Sequence, residues 1–144
     1  MNREAIISAL FAKLSAIADF KTKGRRVEYW TQVADQPAIF LHHIGDNYVH
    51  APTGIPSKVE MECQIWIYDN SGTSADAVPE TNIHTLIEAV EAALVRPPGF
   101  QAQTLGGLVT HCWLDGRIDI HPGDAGSQAI AVMTLKILTP SFGG

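Results

Sequence analysis

The chain is poor in groups that usually carry chemistry. Two cysteines in 144 residues, Cys63 and Cys112, form no C-x-x-C pair, no metal-ligand spacing and no disulfide framework. Both fall in strand-like segments and are expected as buried free thiols of a reducing compartment. Charged residues make up 17% of the chain, and ten Lys and Arg against fifteen Asp and Glu give a formal net charge of −5, which argues against a nucleic-acid binder. No stretch approaches the roughly 20 consecutive apolar residues that span a bilayer, so an integral membrane protein is not expected. The first twenty residues do not read as a signal peptide, because Glu4 and Lys13 interrupt the apolar run and no cleavage-like site follows. There is no G-x-S-x-G elbow and no H-E-x-x-H pair. Leu105-Gly106-Gly107-Leu108 is glycine-rich but precedes a strand, whereas a phosphate-cradling loop follows a strand and opens a helix. It reads as a tight turn.

What is present is enough apolar material, 46% of residues, for one core, and the length fits one domain over 1–144. The charge is unevenly placed. Residues 1–26 hold six basic residues (Arg3, Lys13, Lys21, Lys23, Arg25, Arg26) against two acidic ones, and residues 27–144 hold four against thirteen. Such a split can orient head-to-tail self-association. An ordinary solvated basic turn fits it equally well.

Ile6, Ile7, Leu10, Phe11, Leu14 and Ile17 recur at helical steps, so residues 3–19 are expected as an amphipathic helix with Asn2 as its N-cap. Residues 25–33, rich in aromatic and β-branched side chains, are expected as a strand, and a second strand as Ala38 to Ile44. Residues 45–57 carry two glycines and two prolines and read as a long loop. The clearest strand follows. Val59, Met61, Cys63, Ile65 and Ile67 alternate with Glu60, Glu62, Gln64, Trp66 and Tyr68, so one face is core and the other acidic with two aromatics. Residues 69–79 read as a polar turn, Glu80 to Leu94 as a second helix stopped by Pro97-Pro98, and residues 108–120 as a fourth strand. A turn at 121–127, a fifth strand over Gln128–Leu138 and a tail mobile at its end complete the chain. The order α-β-β-β-α-β-β predicts an α+β two-layer sandwich, with both helices on one face of a mostly antiparallel sheet. The other face, with Trp66 and Tyr68, is expected to meet a partner.

Six histidines, His42, His43, His50, His84, His111 and His121, make no helical metal pair, and His42 and His43 on one strand point to opposite faces. A site built from His43, His111 and a carboxylate across strands stays open at this point. Glu60 and Glu62 lie two apart on one strand face and read as solvated, since acid–base work needs an environment that splits their pKa values.

Several stretches together carry a resemblance. They are Gln36-Pro37-Ala38-Ile39-Phe40-Leu41, the strand Val59 to Tyr68, Asn82-Ile83 with its helix, Gln103 to Gly116, and the closing Ile137-Leu138-Thr139-Pro140. In this order and spacing the chain resembles the tail terminator (tail completion, or minor tail) proteins of long-tailed bacteriophages. The resemblance implies a small α+β subunit of a homo-oligomeric ring, typically a hexamer, in the virion at the head-proximal end of the tail tube, assembled in the host cytoplasm. The ring would end tube polymerisation and offer a face to the head completion proteins of the neck, while DNA passes its lumen without specific binding. It implies no catalysis and no cofactor or metal.

On that footing Lys21, Lys23, Arg25 and Arg26 are expected at a subunit or tube interface, with Tyr48 and His50 in the projecting loop and Trp66 and Tyr68 on the sheet. Glu60 and Glu62 are expected to line the lumen, where negative charge repels phosphate. The alternatives are another neck component such as a head–tail joining adaptor, a small metal-dependent enzyme using the histidines, and a dimeric host binding module.

Overall fold

The computed structural model describes residues 1–50, 54, 56–70, 79–125 and 127–140. The elements run α1 (Arg3–Ser15), β1 (Thr22–Gly24), β2 (Ala38–His50), β3 (Pro56–Asn70), α2 (Pro79–Ala93), β4 (His111–Ala125) and β5 (Gln128–Pro140), with one 3-10 turn at Trp30–Gln32. The strands form one sheet in the order β1-β2-β3-β5-β4. Every pairing is antiparallel except the short β1–β2 contact. This is the expected α+β class and element order.

Helix α1 begins where a cap allows it. The Asn2 side chain accepts a hydrogen bond from the Ala5 N–H at 3.1 Å, and Glu4 sits in the first turn. Ile6, Ile7, Leu10 and Leu14 are buried on one side. Ile83, Leu86, Ile87 and Val90 of α2 enter the same core, together with Ile39 and Leu41 of β2 and alternate residues of β3 and β5. Both helices therefore cover one face of the sheet. β3 is central, and Val59, Met61, Cys63, Ile65 and Ile67 are all fully buried. Each such side chain stabilises the fold by roughly 1.5–3 kcal/mol. A one-residue slip would place Glu60 and Glu62 in that layer, so the register is firmly set.

Three local expectations are corrected. Residues 25–33 are not a strand. The strand is Thr22–Gly24, and the aromatic segment after it crosses the helix-free face as a strap. Its carbonyls are met by side chains and by its own 3-10 turn rather than by a neighbouring strand: the Tyr68 hydroxyl donates to Glu28 O at 2.8 Å, Gln36 Nε2 to Val33 O at 3.3 Å, and the Gln32 N–H to Tyr29 O at 2.8 Å. Val27, Trp30 and Val33 pack on Ala38, Phe40 and Tyr68 in a second apolar cluster. The β-rich composition of this segment thus serves burial, not pairing.

The second correction concerns residues 45–57. β2 does not stop at Ile44 but continues to His50, with Asp46 opposite Met61 and Tyr48 opposite Val59, and β3 starts at Pro56. Ile44 is the extra residue of a β-bulge between His43 and Gly45, which keeps the pairing in phase past an apolar residue turned outward. Third, residues 121–125 belong to β4 rather than to a turn. The expectations for 71–78 and for the tail at 141–144 lie outside the described residues.

Candidate assembly surfaces

The basic segment is only partly available to a neighbour. β1 runs back along α1, and the Lys23 ammonium donates to the Ser15 carbonyl at the end of the helix. That position suits a cation, because the carbonyls of the last turn have no partner within the helix. Arg25 forms a two-armed pair with Glu4 in the first turn, and this hydrogen bonding holds the Glu4 carboxyl below its ordinary pKa. Lys21 and Arg26 are exposed and have no carboxylate partner among the described residues. Of the four cations read as an interface, two are tied to the chain's own helix and two face outward.

Tyr48 and His50 lie on β2 rather than on a loop, and both are exposed. Beneath them is a network that sequence reasoning missed. Arg3 Nε donates to Asp46 Oδ2 at 2.6 Å, and His43 Nε2 lies 2.6 Å from Asp46 Oδ1. Burial alone would raise the Asp46 carboxyl, but the hydrogen bonds from Arg3 and His43 outweigh it and hold it below its ordinary value. The same contact raises the Arg3 guanidinium. This pins the start of α1 to the outer half of β2. The polar triplet Gly45-Asp46-Asn47 looked like a loop because its partner is a cation 43 residues away in sequence.

On the helix-free face, strand register places Glu60 beside Leu138, Glu62 beside Lys136, Gln64 beside Thr134, Trp66 beside Val132 and Tyr68 beside Ile130. β4 adds His111, Trp113, Asp115, Asp119 and His121 to the same five rows. This face has two halves. Tyr68 is buried under the strap, so the expectation that it awaits a partner is corrected: its cover is the chain itself. Burial raises its phenol pKa. Trp66 is half-buried at the strap's margin, edge-on to Tyr68.

In the open half, Lys136 Nζ lies 3.1 Å from Glu60 and 3.5 Å from Asp115, and these contacts raise its pKa, Glu60 first. Trp113 Nε1 donates to Asp115 Oδ1 at 3.3 Å. Glu60 is therefore paired rather than simply solvated. The acidic pair keeps the strand face the alternation implied.

The histidines are dispersed. His43 on β2 and His111 on β4 are separated by β3 and β5, so the cross-strand trio considered from sequence is not assembled. His111 Nδ1 accepts the Gln103 N–H at 3.2 Å, and its ring stacks on Trp113. It borders an open cleft of about 280 Å³ between the end of α2 and β4, together with Glu91, Arg96 and Trp113. Both cysteines are buried and free, and burial pushes each thiol up to about 12, so neither is a nucleophile at neutral pH. Among the described residues no group of three or more His, Cys, Asp or Glu side chains could hold a metal ion. No helix among them is long and apolar enough to cross a membrane.

No protein-family model matches the chain, and no curated protein matches it in sequence.

Proposed function

We propose that this chain is a structural subunit of a bacteriophage tail, forming a ring that caps the head-proximal end of the tail tube. In this role the ring ends tube growth, presents its other side to a head completion protein of the neck, and lets DNA pass through its lumen. The observation that carries the reading is the strand order: β2 and β4 end the main sheet, β1 pairs with β2 only at Ala38–Phe40, and β4 pairs with no described strand but β5, although Gln103 O already takes the Cys112 N–H. A free edge is a template for another chain. They belong to a fold of the α+β class that the sequence resemblance implies.

Within this reading Lys21 and Arg26 are the cations available to a neighbouring subunit or tube ring, because Lys23 and Arg25 are engaged by α1. Tyr48 and His50 are exposed side chains on β2. Glu60 and Glu62 lie on the helix-free face, and if that face lines the lumen, Lys136 offsets one of the two charges.

The test is electron microscopy of the purified protein mixed with tail tubes that lack their cap. Rings seated at one end of each tube support the proposal. Tube ends left bare by protein that joins the head instead support the adaptor alternative and overturn this one.

A further inference from the structure

β4 leaves its ladder in mid-strand. Asp115 is paired with Thr134 and the next pair is Asp119 with Val132, so Gly116, Arg117 and Ile118 stand against Met133 alone. Gly116 is exposed, takes a φ of 69°, and has open space where a Cβ would sit. The Arg117 guanidinium meets Asp119 at 3.0 Å across the bulge, an exposed ion pair that holds it weakly.

Strand alternation fixes the direction of the Gly116 N–H. The Cys112 N–H turns away from β5 to the Gln103 carbonyl, and the register is unbroken from His111 to Asp115. The N–H groups of Leu114 and Gly116 therefore also face the outer side of β4, the last strand of the sheet. No described strand lies there to hold the Gly116 nitrogen.

Asp115-Gly116 is the only Asp-Gly step of the sequence, which has no Asn-Gly step. An aspartyl side chain can close on the nitrogen of the next residue, and glycine, without a Cβ, obstructs that approach least. Closure needs the intervening peptide to turn. At Asp115 only the last pair before the bulge has to open, whereas Asp46 sits inside a continuing ladder with its oxygens held by Arg3 and His43.

We propose that Asp115-Gly116 is a self-modification site of the folded protein, where aspartate converts to isoaspartate through a succinimide. The Gly116 nitrogen attacks Asp115 Cγ and forms a C–N bond. The hydroxyl of the carboxylic acid leaves with the amide hydrogen as water. Solvent water then adds to the main-chain carbonyl of the ring and breaks the original peptide bond. Nothing is oxidised or reduced, and the mass is unchanged. The main chain now runs through Cγ and is one carbon longer, and the free carboxylate sits on Cα.

Two contacts brake the step. Trp113 Nε1 donates to Asp115 Oδ1 at 3.3 Å, and Lys136 Nζ lies 3.5 Å from Oδ2. The succinimide has no carboxylate, so both contacts are given up on the way. Lys136 then keeps Glu60, and β4 lengthens where its register already slips. The site is independent of the ring reading.

The test ages the whole folded chain in mildly acidic buffer made with heavy-oxygen water, followed by peptide mapping and labelling with an isoaspartyl methyltransferase. One heavy oxygen and the methyl label are expected at residue 115, and neither at Asp35, Asp46 or Asp119. Asp115→Glu should lose both signals, because its ring would need a sixth member. Lys136→Gln, checked for unchanged circular dichroism, should accumulate isoaspartate faster than the parent. Absence of label at residue 115, or label that appears only when denaturant is added, overturns the site. An unchanged rate in folded Lys136→Gln overturns the brake.

Discussion

Replacing Asp46 by Asn should destabilise the fold at neutral pH and cost progressively less in acid. The side chain is 16% exposed and receives Arg3 on one oxygen and His43 on the other, each at 2.6 Å. A hydrogen bond to a shielded charged group contributes about 1.5–3 kcal/mol, and an exposed ion pair only about 0.2–1 kcal/mol. Arg3 is 43% exposed and belongs toward the screened end, and Asn still accepts from one donor. The net loss is therefore about 1–2 kcal/mol at pH 7, or roughly 3–6 °C in Tm for a chain of this size.

The sign of the pH dependence follows from the lowered carboxyl pKa. Stability from Asp46 is fully present above the unfolded value, and it is lost as pH falls below the ordinary 3.8 and through the folded value. Glu4 titrates in both proteins and drops out of the difference. Urea unfolding of both proteins at pH 7 and at the most acidic pH where both remain cooperative measures the gap. A gap that is absent at pH 7, or unchanged in acid, would refute the reasoning.

Removing the Tyr68 hydroxyl with Tyr68→Phe leaves the Glu28 carbonyl without its donor and should cost about 1 kcal/mol. Hydrogen exchange should then rise in residues 25–33 ahead of β3, and uniform exchange would contradict the strap. Gly107→Ala places a side chain at a φ of 91° with open space around it, so only backbone strain acts and the loss should be about 1 kcal/mol by thermal unfolding. The native thiols should resist an aromatic disulfide reagent until denaturant is added, because both are buried and pushed up to about 12. Rapid reaction of either in the folded protein would refute the placement of β3 or β4.

The parts of the fold that sequence made legible are those whose information is local. The alternation from Val59 to Tyr68, the helical stripe from Ile6 to Leu14, and the stop at Pro97-Pro98 each carry their own signal within ten or so residues. The outer half of β2 does not. Gly45, Asp46 and Asn47 look like turn residues, and only Arg3 and His43 make that carboxylate acceptable in a strand. The strap shows the opposite failure. Val27, Tyr29, Trp30 and Val33 have strand-like composition, yet one face of Phe40 and Tyr68 needs cover, and burial there wins over pairing. The open edges were illegible for a further reason. An edge is a property of strand order, and nothing within β2 or β4 states which neighbour is missing. Charge asymmetry was visible as a count, and the fold spends three of its cations, Arg3, Lys23 and Arg25, on contacts within the chain.

The central claim is that this chain works as a ring at the end of a tail tube, and imaging tests it most directly. Electron micrographs of the protein with uncapped tail tubes should contain a ring of several copies at one end of each tube, and tubes so capped should stop lengthening when fresh tube subunits are added. Bare tube ends and uninterrupted growth would contradict it.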